Sequence, residues 1–254
     1  MVTSVAPRFV DAGYCWNVVT VRYPRRPSGR TAQSTFSVLG LNSHSVDDYD
    51  ISRKSDTQIA IIEATFQAVA ENGYTNLTID KVNDCFEKSK PLIYYHYEDR
   101  QELVEELLRY AVTRFLKELP GDEIDSAGET LYTIIERIFP EDPSSEIIAG
   151  RRVIMELRGT AVAEPTFREI FSEFDAELRA AIVSTIERGF LTGEFHRVDA
   201  GKVADDFIVL VNGALLINSS TPETTTASLV EPLYELVQRL EKQPSVSKLP
   251  APDN

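Results

Sequence analysis

Apolar residues at helical spacing, in runs opened by capping residues, most constrain the fold of this chain. Ser55-x-x-Gln58 is a capping box, in which each side chain satisfies the exposed backbone N–H of the other residue. Four apolar residues then fall on one helical face: Ile59, Ile62, Phe66 and Val69. Gly73 tolerates the left-handed backbone that commonly follows the last helical residue. The pattern predicts a helix that starts after Ser55 and ends before Gly73.

Further helices are predicted along the chain. Thr78 is suited to cap a short second helix, and Ser89 a third, with Pro91 tolerated in its first turn. Asp99-x-x-Glu102 is another capping box, and it opens a longer helix. Five more segments keep the apolar helical spacing: 126–139, 143–159, 165–191, 199–218 and 228–242. These segments predict an all-α fold.

The C-terminal end contains the main internal loop and a tail. The polar stretch 219–227 separates the last two predicted helices. The final helix opens with the capping box Ser228-x-x-Glu231, which places Pro232 in its first turn. Residues 244–254 are predicted to be a disordered tail.

Composition narrows the class of protein. Apolar residues make up 43% of the 254 residues, which is typical of a globular chain. No apolar run reaches the ~20 residues of a membrane span, and no secretory signal is recognisable. Cys15 and Cys85 lie far apart, which excludes a disulfide scaffold and favours the cytoplasm.

The chain is strongly acidic, and its charge is unevenly distributed along the sequence. Asp and Glu number 40 against 26 Lys and Arg, and only 8 of those 26 are Lys. An acidic, Lys-poor surface favours a salt-rich cytoplasm such as that of a halophile, and an ordinary acidic protein is the alternative. Residues 51–100 have six basic and eight acidic side chains, so they are much less acidic than the residues that follow.

Residues 1–50 differ from the rest. The segment 14–21 has the composition of a strand but no evident partner, and the stretch from Pro24 to Arg30 is basic and rich in breakers. We expect a disordered extension or a misassigned start codon. The alternative is a basic arm that contacts nucleic acid.

Catalytic patterns are not recognisable. None of His44, His96 and His196 has the spacing of a two-histidine metal site, and nucleotide-binding and serine-hydrolase motifs are missing. Cys85 falls on a short amphipathic helix, where a small core residue is the simpler interpretation. We therefore expect no enzyme, no metal and no cofactor, although catalytic groups that meet only in the fold would escape this test.

Residues 78–97 have the span of a helix-turn-helix, with the turn near Glu87. Ile79, Val82 and Phe86 are predicted to face inward. The outer face of the second helix then presents basic, hydroxyl and aromatic groups: Lys88, Ser89, Lys90, Tyr94, Tyr95 and His96. This mixture suits DNA, because Lys neutralises phosphate and hydroxyls donate to phosphate oxygens. The alternative is that Tyr94 to Tyr97 are mainly core and cap.

Taken together, residues 59–108 resemble the DNA-binding domain of the TetR family of transcriptional regulators. Three features are similar to the family pattern: the first helix with Gly73-Tyr74 at its end, the Thr78-Ile79 pair, and Ser89-Lys90 at the start of the third helix. The run from Ile93 to Tyr97 resembles the recognition helix, and Asp99-Arg100-Gln101-Glu102-Leu103 resembles the start of the fourth helix. No gap is needed across this stretch. The resemblance covers about a fifth of the chain.

Four positions depart from the family pattern. Glu87 stands where the family usually has Gly in the turn, and it brings a negative charge near DNA. Lys88 replaces a usual Val, and Asn83 and Pro91 replace small residues. These departures affect the details of DNA docking more than the fold.

The resemblance implies a two-domain organisation and a role for each site residue. Residues 51–98 would be the helix-turn-helix domain and residues 99–243 a larger helical domain for ligand binding and dimerisation. Thr78, Tyr94 and Arg100 would contact phosphates. Lys90, Pro91 and Tyr95 would lie closest to base edges, with Lys88, Ser89 and His96 beside them.

The resemblance also implies a homodimer that binds double-stranded DNA at a palindromic operator and responds to an unknown small-molecule effector, most often as a repressor. One apolar face would pair with the second subunit: Val203, Phe207, Leu210, Val211 and Leu215. Another set would line the effector pocket: Phe139, Met155, Phe167, Phe171 and Phe174. For both sets, ordinary core packing is the alternative.

A second class of function stays open. A dimeric small-molecule-binding or protein-interaction module of the same fold would lack specific DNA binding. Glu87, Pro91 and the slightly acidic head motivate this alternative.

Overall fold

The computed structural model describes residues 49–121, 124–221 and 226–241. The predictions for residues 1–48 and for the tail lie outside these ranges. Within them, nine α-helices follow a single 3-10 turn at Ile51–Arg53. The helices are α1 Asp56–Asn72, α2 Ile79–Asp84, α3 Lys90–His96, α4 Arg100–Lys117, α5 Ala127–Ile138, α6 Ser145–Thr160, α7 Pro165–Thr192, α8 Ala200–Ser220 and α9 Thr226–Leu240. The predicted all-α fold is confirmed.

The ends of the first helices follow the predicted caps. The Gln58 N–H donates to Ser55 Oγ at 3.3 Å and the Ser55 N–H donates to Gln58 Oε1 at 3.1 Å, so the capping box is complete. Gly73 follows α1 with a φ of 74°, a backbone conformation that glycine adopts at little cost. Thr78 caps α2 through the N–H of Lys81.

Two predicted capping boxes differ from the structure. Asp99 accepts the Glu102 N–H at 2.9 Å, but the Glu102 carboxylate accepts the N–H of Glu98 instead of that of Asp99. Helix α9 begins two residues before Ser228, so Pro232 is the seventh helical residue and not a first-turn residue. A proline there removes one intrahelical hydrogen bond. Burial of the apolar face of α9 offsets this loss.

The helices pack as a small N-terminal group on a larger bundle. Helix α1 packs on α2, α4 and α6, and α3 packs on α2. Helix α4 continues into the bundle and packs on α7. The bundle core is one apolar cluster supplied by α5, α7, α8 and α9, with α8 packed on α6, α7 and α9. The group formed by α1, α2 and α3 is called the head below.

The segment after α7 caps the N-terminus of α5. Gly193 ends α7 with a φ of 80°. The carboxylate of Glu194 then accepts hydrogen bonds from the Ser126 hydroxyl and from the N–H groups of Ala127 and Gly128, at 2.6 to 2.8 Å. This satisfies backbone donors that the first turn of α5 leaves unpaired.

Candidate nucleic-acid interface

Helix α3 is held by a tight turn after α2. The N–H groups of Cys85 and Phe86 donate to the carbonyls of Val82 and Asn83, each at 3.1 Å, which closes α2 with a narrow turn. Val82 and Phe86 are buried, and so are Ile93 and Tyr97 on α3 and just after it. These buried residues fix the rotation of α3 about its own axis. They therefore decide which side chains face outward.

The outward face of α3 is aromatic. Tyr94 is 52% exposed and Tyr95 is 81% exposed, although large aromatic rings are usually buried. Together with Lys90 and Pro91 they line an open depression of about 610 Å³. The Tyr95 ring meets the half-buried His96 ring edge-on, with centroids 5.0 Å apart. The alternative interpretation, that these tyrosines are core residues, is therefore wrong for Tyr94 and Tyr95 and correct for Tyr97.

Lys90 is paired inside the head. Its Nζ lies 2.5 Å from Oδ1 of Asp80 on α2, and 5.8 Å from the centroid of the Tyr94 ring. The hydrogen bond to Asp80 raises the pKa of the Lys90 ammonium, so the side chain stays charged. Lys90 is thus held between the first turn of α2 and the outward face of α3.

Three other predicted DNA contacts surround α3. Lys88 donates from Nζ to Thr57 Oγ1 at 3.1 Å. The Thr78 hydroxyl accepts the Lys81 N–H at 3.3 Å and keeps its own O–H for another acceptor. Ser89 is the N-cap of α3, but its side chain makes no capping hydrogen bond. The exposed hydroxyls of Thr78 and Ser89 are therefore both placed to donate.

Arg100 has an intramolecular role. Its Nη1 donates to the carbonyls of Tyr74 and Leu77 at 3.2 and 3.3 Å, and its guanidinium carbon lies 4.7 Å above the centre of the Tyr74 ring. These contacts hold the segment between α1 and α2. A phosphate contact, as the family resemblance implies, would have to use the remaining N–H groups of Arg100.

Tyr74 connects the head to the bundle. Its N–H donates to Glu156 Oε1 on α6 at 2.7 Å, and its ring packs edge-on against Phe167 on α7 with centroids 5.5 Å apart. The amino-acid sequence by itself predicts neither Glu156 nor Asp80 as a site residue. Glu156 is 82 positions from Tyr74 in the chain, so no local pattern relates the two.

The five residues expected at an effector pocket pack within the bundle. Phe139 lies under Arg151, Phe171 under Arg158, and Phe174 packs against Phe115. Phe139, Phe167 and Phe171 are buried, whereas Met155 and Phe174 are half-buried. None of the five lines the depression at α3. None lines a second depression of about 460 Å³, which includes Phe190 and Val198.

The residues expected at the dimer interface pack mainly inside the subunit. Phe207 and Val211 belong to the bundle core and have almost no accessible surface, so they have little area left for contact with a second subunit. Val203, Leu210 and Leu215 are half-buried against the same core. The exposed apolar side chains of α8 are instead Val209, Leu216 and Ile217.

In the described ranges, no helix combines the length and the apolar character that a membrane crossing requires. Nor do those residues include three or more His, Cys, Asp or Glu side chains grouped to hold a metal ion.

Comparison with solved structures shows a shared fold. The chain is similar to a TetR transcription regulator from Haloarcula marismortui ATCC 43049, with 23% identity and a TM-score of 0.68 over 74% of this chain and 100% of that chain. It is similar to a putative transcriptional regulator from Saccharomonospora viridis in complex with choline, with 21% identity and a TM-score of 0.65 over 75% and 100%. A putative TetR-family regulator from Rhodococcus sp. is 26% identical, with a TM-score of 0.64 over 74% and 100%. A search of curated proteins gives no match.

Two family models match separate parts of the chain. Residues 61–107 match the model of bacterial regulatory proteins of the tetR family, which overlaps almost completely with the resemblance at 59–108. Residues 127–240 match the C-terminal domain of BetI-type transcriptional repressors. The two matches account for well over half of the chain, so this protein belongs to the TetR family of DNA-binding transcriptional regulators.

Proposed function

We propose that this protein is a cytoplasmic homodimer that represses transcription from a palindromic operator and is released by a small-molecule effector. The observation that carries the proposal is the exposure of Tyr94 and Tyr95 on α3, while Ile93 and Tyr97 are buried. Exposed aromatic rings beside Lys90 leave a surface that is apolar, hydroxyl-bearing and cationic. Such a surface matches the thymine methyl groups, base edges and phosphates of a DNA groove.

Each side chain near α3 takes a role that follows from its position. Tyr95 and Pro91, at the exposed centre, are proposed to meet base edges together with Lys90. Lys88, Ser89 and Thr78 are proposed to contact phosphates, since hydroxyl and ammonium donors position a protein on the duplex. Tyr94 donates its hydroxyl to phosphate, and His96 supports the Tyr95 ring. Residues 51–98 then form the DNA-binding domain and residues 99–243 the domain for effector binding and dimerisation.

The dimer is proposed to form on α8. Val209, Leu216 and Ile217 are 70%, 57% and 43% exposed, and Gly213 lies among them with open space above it. A helix face that is apolar and has a small residue at its centre allows a second helix to approach closely. The same face on a symmetry-related subunit would bury these three side chains.

The effector proposal rests on the C-terminal domain. That domain matches the model of BetI-type repressors, and one solved neighbour, from Saccharomonospora viridis, was determined in complex with choline. Choline is therefore the first compound to test here. An effector that shifts α6 or α7 would move the partners of Tyr74, since Glu156 and Phe167 lie on those helices. The position of the head would then depend on effector occupancy, which is the requirement for a two-state switch.

One observation favours a second function, a binding module of this fold without specific DNA recognition. The six basic side chains of residues 51–100 all have intramolecular partners: Arg53 with Asp50, Lys54 with Glu106, Lys81 with Asn76, Lys88 with Thr57, Lys90 with Asp80, and Arg100 with Tyr74 and Leu77. DNA binding would have to break some of these contacts.

A binding titration decides between the two functions. The purified protein is titrated against the DNA upstream of its own gene and against a scrambled duplex, over a series of KCl concentrations. We expect a specificity ratio of about 10³ or more for the upstream DNA. Equal, weak binding to both duplexes that vanishes as the salt concentration rises would contradict the proposal and support the binding module.

A further inference from the structure

The pair Lys90–Asp80 lies within the proposed DNA-reading surface. Asp80 is in the first turn of α2 and Lys90 is the first residue of α3, and their charged atoms are 2.5 Å apart. The Asp80 side chain is largely exposed and the Lys90 side chain about one-third exposed. Exposed ion pairs add little to the stability of a fold. The pair therefore contributes little to the fold, whereas Lys90 lines the depression that is proposed to meet DNA.

The helix dipoles explain why the two charges are held together. A carboxylate in the first turn of α2 is favourable, because a helix N-terminus has partial positive charge. A cation at the first position of α3 is unfavourable for the same reason. Asp80 compensates the charge of Lys90 at this unfavourable position. The positive charge of Lys90 is consequently offset by Asp80 before DNA binds.

DNA presents two kinds of acceptor to Lys90. Phosphates occur at every position of any sequence, and contacts with them give affinity without specificity. The O6 and N7 atoms of guanine occur only at particular positions in the major groove. A lysine that is already paired gains little from a phosphate, and the carboxylate beside it repels that phosphate. Discrimination of this kind works by weakening the wrong complex.

We propose that Asp80 is a specificity-determining residue, which withholds Lys90 from phosphates in non-specific complexes and leaves it available for base edges at the operator. The inference rests on the proposed function, because it requires that α3 reads DNA. In a non-specific complex Lys90 stays paired with Asp80 and releases no counterion. At the operator Lys90 keeps its contact with Asp80 and donates another of its three ammonium N–H groups to a base edge, which is uncharged and is not repelled by the carboxylate.

The test compares Asp80→Asn with Asp84→Asn. Asp84 is another exposed carboxylate on α2, so the control makes the same change in charge on the same helix. Affinity for upstream and scrambled DNA is measured over a KCl series for the wild type and both variants. Circular dichroism checks that each variant keeps its helices.

We expect Asp80→Asn to strengthen binding to scrambled DNA by about eightfold per half-site at about 0.1 M KCl. The reason is that one additional phosphate contact multiplies the association constant by the salt concentration raised to the power of about −0.9. The salt slope for scrambled DNA becomes steeper by about 0.9 per half-site. Affinity for upstream DNA changes less, so the specificity ratio falls. Asp84→Asn shifts both affinities alike, and Asp80→Glu, which keeps the carboxylate, stays close to the wild type.

A double-mutant cycle tests whether the effect passes through Lys90. In a Lys90→Ala background, Asp80→Asn should act no more strongly on scrambled DNA than Asp84→Asn. If wild-type protein is specific but Asp80→Asn and Asp84→Asn behave alike, the inference on Asp80 is overturned and the proposed function stands. If wild-type protein shows no specificity, the proposed function fails and the inference fails with it.

Discussion

The main-chain N–H of Tyr74, just after the first helix of the head, donates a 2.7 Å hydrogen bond to the carboxylate of Glu156 on α6. Gly73 permits this contact, because a Cβ at Gly73 would come within 3.0 Å of Glu156 Oε1. The Tyr74 carbonyl accepts a hydrogen bond from Arg100, and its ring packs on Phe167. One residue thus joins α4, α6 and α7 to the DNA-binding head.

Removal of the Glu156 acceptor should loosen this junction. We expect Glu156→Ala to lower the free energy of unfolding by about 1 kcal/mol. Hydrogen bonds to charged groups contribute about 1.5–3 kcal/mol, and solvent reduces this value at the exposed Glu156 carboxylate. Glu156→Gln should cost less, since its amide oxygen still accepts the Tyr74 N–H. Urea unfolding followed by circular dichroism measures the effect, with Glu169→Ala on α7 as an exposed acidic control. Equal losses in Glu156→Ala and Glu169→Ala would show that the bond is not stabilising.

Two substitutions on α3 separate base contacts from phosphate contacts. Tyr95→Ala should weaken binding to upstream DNA by about tenfold or more and leave scrambled DNA almost unchanged, because a base contact contributes about 1–3 kcal/mol of discrimination. Tyr94→Phe removes only a hydroxyl and should weaken binding to both duplexes about fivefold, because the lost hydrogen bond contributes about 1 kcal/mol. Fluorescence anisotropy measures both affinities. If these variants and Lys88→Ala and Lys90→Ala all bind like the wild type, α3 is not the recognition helix.

Gly189 is required by a close approach between α7 and the segment that follows it. A Cβ at Gly189 would lie 2.3 Å from the buried Phe195 ring, which cannot move without disturbing the bundle core. We expect Gly189→Ala to lower the free energy of unfolding by about 1–3 kcal/mol through overpacking. Thermal unfolding checks this loss. A second substitution, Phe195→Leu, should be less harmful in the Gly189→Ala background than alone, and additive losses would argue against the steric explanation.

The Glu194 cap on α5 should make stability depend on pH. Desolvation alone would raise the pKa of the Glu194 carboxyl, but the hydrogen bonds from Ser126, Gly128 and Ala127 and the nearby Arg188 charge outweigh it and lower the pKa. A lowered folded-state pKa means that the ionised carboxylate stabilises the fold above the unfolded pKa. That contribution is lost as the pH falls through the folded pKa.

Glu194→Gln measures this contribution directly. We expect the wild type to be more stable than the variant by about 1–2 kcal/mol at neutral pH, the value of charge-assisted hydrogen bonds at a partly exposed site. The difference should shrink as the pH falls below about 4.3, the ordinary pKa of Glu, and the carboxylate becomes protonated. Urea unfolding at a series of pH values gives the comparison. A difference that is constant with pH would rule out the carboxylate charge as its source.

The apolar face of α8 gives a prediction on assembly. Leu216→Asp should convert a dimer into a monomer, because a two-fold axis through α8 would bring two buried carboxylates together. Leu191→Asp is the matched control, since Leu191 is also an exposed leucine but lies on α7. Size-exclusion chromatography with light scattering measures the mass. A dimer that survives Leu216→Asp would place the interface elsewhere.

Local sequence was sufficient for the approximate helix boundaries and for the family. The capping box at Ser55, the positive φ at Gly73 and the cap at Thr78 involve residues three or four positions apart, so they are readable without a tertiary structure. The five predicted C-terminal helices agree with the observed ones to within two residues. The match at residues 61–107 confirms the resemblance found in the same stretch.

Helix docking decided the rest, because it depends on contacts between distant residues. Helix α8 is apolar on most of its circumference, so its periodicity could not tell Phe207, which faces the core, from Leu216, which faces outward. Two hydrogen bonds of Tyr74, from Arg100 to its carbonyl and from its N–H to Glu156, depend on how α4 and α6 pack on α1. The pairing of Lys90 with Asp80 likewise arises only where α2 and α3 meet. Hydrogen bonds within one helical turn can be predicted from neighbouring residues, whereas contacts between helices depend on the packing of the whole chain.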